Sequence, residues 1–393
     1  MCMTIPIWTR TSRVTFRDTG VLEIRMHRLW NDLLLNCSQP GARFVDVGAN
    51  FGWYSVMAAV YGCHVTAWEP VPRFAAFFKY NMLLNNVTNL IELREKIVSD
   101  KDGDKLVIRV PAKGILGTAG IDGANIADDN ELESVERETE RLDSVIEGPS
   151  TLLKVDVEGF EPQVFYGAKG LIEADLLPNI LFEYSPGVFE KARNLNRSCA
   201  NPEVLMAFVN AGYELFDLSN VEQASGFERQ PVYSIPGAVL RNDLEDCVRR
   251  KAGTLNCPDH PTLVEAGWKR CNVEISGLHP QSYRPTFNFN TNVWASKRRP
   301  EGWQPKGVAA LIPPEADLMR TYYVDRNRPG LGGWWCTAKW LNPKTSQVQH
   351  RCRCRDRTVC GPLARIVSKH PELLLPTPLD KPVDTEAFRV ENW

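Results

Sequence analysis

The stretch FVDVGANFGWYSVMAA, residues 44–59, decides how this chain is read. An apolar segment enters a turn carrying Gly48 and Gly52, and a helix-like run follows. A glycine turn between a strand and a helix commonly holds a ligand bearing a phosphate or a nucleoside. The dinucleotide fingerprint G-x-G-x-x-G fails here, because it would need glycine at Asn50 and Trp53. The Asp46 carboxylate, just before Gly48, would also repel a phosphate at short range. A carboxylate there suits a ligand with a positive end. S-adenosylmethionine carries a sulfonium and an ammonium and no phosphate, and its own carboxylate can use N–H groups that open the helix.

Outward from that turn, strands and helices alternate. RFVDV (43–47), HVTAWE (64–69), NLIELREKIVS (89–99), LLKVDV (152–157), NILFEY (179–184) and YELFDL (213–218) read as strands. WYSVMAAVY (53–61), RFAAFFKYNMLLNN (73–86) and PEVLMAFVNAG (202–212) read as helices, with another opening at Pro162. The fold expected is α/β, a doubly wound, mainly parallel Rossmann-like sheet. In such sheets ligands bind beyond the C-terminal strand ends. Glu69 ends the second strand, where an acidic side chain can accept both hydroxyls of a ribose. DKDGDKLVIRV (100–110) reads as a hairpin turning at Asp102-Gly103, and residues 111–140 as a polar, mobile excursion. The division expected is a helical lead-in over 1–40, the alternating domain over 41–240, and an irregular Cys-, Trp- and Pro-rich C-terminal extension over 241–393.

A formal net charge of −2 gives no global attraction to nucleic acid, so none is expected as a partner. Long apolar runs are all interrupted, and no membrane span is expected. Residues 1–13 lack the pattern of a signal peptide, so the reading is a soluble chain, cytoplasmic by default. Of the 11 cysteines, those from Cys247 onward crowd the extension and are expected to be structural, partly buried free thiols. His350, Cys352, Cys354 and Cys360 match zinc spacing poorly, and no metal is expected. Glycosylation acceptors N-x-[ST] stand at Asn36, Asn86 and Asn196, though so short a motif recurs by chance.

FVDVGANFGWYS, AWEPVPRFAAFFKYNMLLNN, EKIVSDKDG, ERETERLDSV, LLKVDVEGFEPQVFYGAKGLI and PNILFEYSP occur in one order. Together they resemble the FkbM-type methyltransferases, over residues 42–190 and more weakly to about 240. The resemblance implies a class I, Rossmann-like methyltransferase that uses S-adenosylmethionine, most often on a hydroxyl oxygen of a small molecule or carbohydrate. The family's cofactor positions fall on Asp46, Gly48, Asn50, Gly52, Glu69 and the pair Ser99-Asp100. Trp53 and Trp68 are bulkier than usual there, and residues 241–393 lie outside the likeness.

Strand alternation puts Lys154 and Asp156 on one side, and Glu158 with Gly159 follows at the strand end. Three ionisable groups thus meet where a methyl group would lie, with Asp156 the central base or orienting group and Glu158 and Lys154 assisting. A Lys154–Asp156 ion pair with Glu158 capping the next helix would be the purely structural alternative. A metal held by Asp156 and Glu158 lacks a third ligand nearby in sequence. Two other functions stay open: a non-catalytic module retaining the cofactor fold, and a nicotinamide-dependent oxidoreductase, disfavoured by the missing glycines and by Asp46.

Overall fold

A computed structural model describes residues 24–34, 37, 42–112, 116–121, 123, 126, 131–185, 195–218, 233–252, 291–303, 307–308, 335–341 and 348–353. Its strands are β1 Arg43–Val47, β2 His64–Trp68, β3 Ile91–Arg94, β4 Ile97–Val98, β5 Lys105–Pro111, β6 Leu132–Glu140, β7 Leu152–Val155, β8 Asn179–Tyr184, β9 Glu214–Asp217, β10 Tyr233–Ser234, β11 Thr291–Ser296, β12 Gly307–Val308, β13 Trp335–Leu341 and β14 Val348–Arg353. The helices are α1 Ile24–Leu34, α2 Trp53–Val60, α3 Pro72–Leu84, α4 Glu161–Tyr166, α5 Lys169–Glu173, α6 Leu195–Asn210 and α7 Gly237–Lys251.

The main sheet runs β12-β10-β9-β11-β8-β7-β1-β2-β3. From β3 to β8 every pairing is parallel. The strands leave β1 to one side through β2 and to the other through β7, which makes the β1/β7 boundary the switch point of a doubly wound sheet. The inner strands β1, β7 and β8 are buried on both faces, and that is why they are nearly all apolar. Phe44, Leu152 and Leu181 face a cluster with α1 residues Trp30 and Leu34 and α2 residues Val56 and Met57. Val45, Val47, Leu153 and Val155 face the opposite cluster, with Val164, Phe165, Leu205 and Phe208 from α4 and α6.

Three expectations change. The third strand breaks after Arg94, and β4 leaves the main sheet for a small one of order β4-β6-β5. The hairpin read across Asp102-Gly103 is absent, because β5 pairs antiparallel with β6, and β4 pairs parallel with it. Residues 132–140, read as mobile excursion, are that shared strand. LESVERETE is held by ladder bonds and by ion pairs such as Lys105–Glu136 at 3.5 Å.

The boundary at residue 240 also gives way. It cuts α7, and β11 lies inside the main sheet, antiparallel to both β8 and β9. Val293, Trp294 and Ala295 are fully buried there. The Trp294 indole N–H donates to Asn179 Oδ1 at 3.1 Å, and its ring meets Trp303 edge-on at 4.6 Å.

Cysteines behave differently as well. Cys37 is bonded to Cys63 and Cys199 to Cys247, so Cys247 is not the free thiol expected. The zinc-like set lies outside the described side chains, although β13 and β14 pair antiparallel with Cys336 opposite Cys352. Among the described residues, no helix is long and apolar enough to cross a membrane.

Candidate functional site

Gly48 and Gly52 both take left-handed backbone, at φ 81° and 80°. A Cβ on Gly48 would lie 1.9 Å from the Asp156 carbonyl oxygen, and one on Gly52 would lie 2.1 Å from the Phe78 ring. No side chain fits at either position. The turn is fastened to the second strand, since the Gly48 and Ala49 N–H groups both donate to the Trp68 carbonyl, at 3.0 and 2.9 Å. Asn50 is left-handed too, at φ 53°, and its N–H donates to Glu69 Oε2 at 2.8 Å. The Val71 N–H donates to Glu69 Oε1, also at 2.8 Å. Each oxygen of Glu69 therefore holds one backbone donor and keeps lone pairs for another. Burial pushes this carboxyl up to about 7, against the pull of the two N–H donors.

Beyond these strand ends lies a cavity of about 320 Å³. Residues 47–51, Trp53 and Tyr54 wall it on one side, residues 68–71 and Phe74 on the next, and residues 154 and 156–158 close it. Residues 96–98 and Ile108 come from the small sheet, and Gly117 and residues 119–121 come from the excursion. The site thus sits at the switch point. Its wall carries the carboxylates of Glu69, Asp156 and Glu158. Its two cations are both engaged: Lys154 Nζ donates to Asp156 Oδ2 at 3.1 Å, and Lys96 pairs with Glu138 at 3.5 Å.

Of the residues singled out from sequence, Gly48, Asn50, Glu69, Lys154, Asp156 and Glu158 line this cavity. Gly52 shapes it from one step behind. Asp46 lies deeper, fully buried, with Oδ2 accepting from Ser55 Oγ at 2.6 Å and Oδ1 without a hydrogen bond. Burial raises its pKa, opposed by nearby Lys154, its neighbour across the β1–β7 ladder. Ser99 and Asp100 are not on the wall. The Ser99 N–H donates to the Glu140 carbonyl at 3.0 Å and Ser99 Oγ donates to Asp100 Oδ1 at 3.0 Å, which places Lys96, Ile97 and Val98 at the cavity instead.

At the β7 end the ion pair between Lys154 and Asp156 is formed, with Lys154 Nζ also 5.0 Å above the Tyr54 ring. Glu158 lies two residues before the N-cap Phe160 of α4. It stands in left-handed backbone at φ 56°, followed by Gly159 at φ 103°. Glu161, which sequence reading missed, makes that turn: its Oε1 accepts from the Val157 and Gly159 N–H groups, both at 3.1 Å. Burial pushes Glu161 up to about 7. Glu183, the penultimate residue of β8, is legible in the sequence as a strand-end residue but is not among the site residues expected from it. Its carboxylate and those of Asp156 and Glu158 offer oxygens within 4.8 Å of one another, a set that could hold a cation or share a proton. Its place at a strand end beside β7 was the available signal.

Trp68 is fixed by a second buried acid. Glu140 Oε1 accepts from the Trp68 indole N–H at 2.6 Å, and Arg94 grips the same carboxylate through Nε at 2.6 Å and Nη2 at 2.8 Å. Burial pushes Glu140 up, and the hydrogen bonds from Arg94 and Trp68 with the Arg94 charge overcome it, so the carboxyl ends below its ordinary range.

The model of the methyltransferase FkbM domain matches residues 46–215. No curated protein matches the chain. Among solved structures it is similar to a methyltransferase FkbM from Methylobacillus flagellatus KT, at 15% identity over 49% of this chain and 42% of that one, TM-score 0.30. A SAM-dependent methyltransferase from Geobacter sulfurreducens in complex with S-adenosyl-L-homocysteine shares 16% identity over 75% of this chain and 98% of that one, TM-score 0.32. An O-methyltransferase from Bacillus cereus in complex with SAH shares 13% over 53% and 88%, TM-score 0.29. The present chain therefore spans less than half the length of the Methylobacillus chain.

Proposed function

We propose, from the match of residues 46–215 to the methyltransferase FkbM domain and from the geometry of the cavity, that the chain transfers the methyl group of S-adenosylmethionine to a hydroxyl oxygen of a small molecule or sugar. The observation that carries the cofactor is Glu69, held by two N–H groups at the head of the cavity with both oxygens still able to accept. Two ribose hydroxyls fit that arrangement. The rest of the wall fits the same ligand. Three carboxylates and two already paired cations favour a sulfonium with an ammonium and disfavour a diphosphate, which argues against a nicotinamide dinucleotide. The left-handed glycines bring the backbone close, as a nucleoside against a strand–helix turn requires.

When bound, the sulfonium supplies a methyl group with a good leaving group. The chain has to align the acceptor oxygen with it and take the hydroxyl proton. Asp156 faces the cavity from the switch point and is the group assigned to the proton, with Lys154 holding its Oδ2 and Glu158 beside it. The excursion, through Gly117 and residues 119–121, supplies wall that the acceptor would meet.

Calorimetry or thermal shift with S-adenosylhomocysteine and with NAD tests the cofactor; binding of NAD in preference would overturn it. Turnover against a panel of hydroxylated acceptors with labelled cofactor tests the reaction. Asp156→Asn should keep S-adenosylhomocysteine affinity within a few-fold and lower turnover by roughly 10²–10⁴. Near-normal turnover would remove Asp156 from the proton transfer, and loss of wild-type turnover on chelation would reassign Asp156, Glu158 and Glu183 to a cation.

A further inference from the structure

All four cysteines with described side chains are paired, Cys37 with Cys63 and Cys199 with Cys247, across 26 and 48 residues of sequence. All are buried, between 0% and 5% exposed. The two bonds serve opposite faces of the sheet. The first joins the chain leaving α1 to the residue that enters β2, within the cluster that holds α1 against the sheet. The second clamps α6 to α7 on the other face. Cytosolic thiol pools keep such pairs reduced, so two structural crosslinks in one domain point to an oxidising compartment.

Asn86 supplies an independent observation. It begins the acceptor sequence Asn86-Val87-Thr88 in the turn between α3 and β3. Asn86 and Thr88 are both exposed and Val87 is buried as the anchor beneath them. Asn86 holds left-handed backbone at φ 54°, and its N–H donates to the Leu83 carbonyl at 3.1 Å, so its amide stands on a fixed, outward turn. Because α3 runs back from the end of β2 to the start of β3, this turn lies at the end of the sheet opposite the cavity. A bulky group there leaves the site open.

We propose that the chain matures in an oxidising secretory compartment, with Cys37–Cys63 and Cys199–Cys247 as structural disulfides and Asn86 as an N-glycan acceptor. In each disulfide two thiols give two electrons and two protons to the disulfide of a thiol oxidoreductase, which leaves as a dithiol. At Asn86 the amide nitrogen bonds to the anomeric carbon of a lipid-diphosphate-linked oligosaccharide, loses a proton, and the lipid diphosphate departs.

The test uses the full chain isolated from the cells that make it, with thiols blocked by N-ethylmaleimide before lysis. Mass spectrometry without reduction should find the peptides of Cys37 and Cys63 linked, and those of Cys199 and Cys247 linked, none carrying maleimide. Glycosidase release in heavy-oxygen water should leave labelled aspartate at position 86. Maleimide on these four cysteines overturns the compartment. Linked cysteines with unmodified Asn86 overturn the acceptor site. Where the four cysteines are linked, reductant should lower the thermal midpoint of the purified protein; an unchanged midpoint would deny the disulfides a structural role.

Discussion

Glu69 ties cofactor binding to pH. With no ligand its folded pKa is about 7, above the ordinary 4.5, because burial disfavours the charge. Such a group contributes stability that is fully present below 4.5 and is lost as pH rises through 7. Glu161 adds the same dependence. Ribose hydroxyls donate to the ionised carboxylate, so binding must expel a proton wherever Glu69 is protonated. Affinity for S-adenosylhomocysteine should therefore strengthen from pH ~6 to ~8 and then level off. Calorimetry across that range checks this, and Glu69→Gln should flatten the part of the slope that Glu69 contributes. Glu69→Ala should cost at least about 1.5–3 kcal/mol of binding. Gly48→Ala meets a backbone oxygen at 1.9 Å in left-handed backbone, and should lower the thermal midpoint and abolish binding together. These residues were legible in the sequence because a turn and the strand after it are read locally. Glu183 is legible as a strand end, but its grouping with Asp156 and Glu158 is not, since only the β7–β8 pairing brings the three together.

At the level of elements, β6 shows what local reading leaves out. LESVERETE has almost no apolar periodicity, and its ends are set by β5 and β4 rather than by its own residues. What it contributes is Glu140, delivered to the Trp68 indole beside the cavity. Glu140→Ala would leave the Trp68 N–H without its acceptor and Arg94 with Glu92 alone, a loss of about 1–3 kcal/mol. Chemical denaturation measures it, and a stability equal to wild type would deny the clamp. The same reasoning accounts for Ser99 and Asp100. The family resemblance puts them at the cofactor, whereas the break after Arg94 places them at the margin of the small sheet.

For the whole molecule, the decisive strand is β11. TNVWAS is short and flanked by aperiodic chain, so nothing nearby marks it as core. Its partners are β8 and β9, both far upstream. A chain ended near residue 241 should be insoluble or fail to bind S-adenosylhomocysteine, since β8 and β9 lose the strand between them. A chain ended near residue 312 keeps β11 and β12 and should bind with near-normal affinity. Solubility and calorimetry of the two truncations decide the point, and a folded, binding-competent shorter form would show that β11 is dispensable.

The position of β11 also sets an order of events on the ribosome. Between the emergence of β8 from the exit tunnel and that of its antiparallel neighbour, residues 185–290 must first pass out of it. At ~5–20 residues per second that is roughly ten seconds in which one edge of a hydrophobic sheet has no partner. A nascent chain in that interval is a substrate for holding chaperones and for strand exchange with another copy. Slowing translation over residues 185–290 should lower the yield of monomer, whereas slowing it after residue 308 should not.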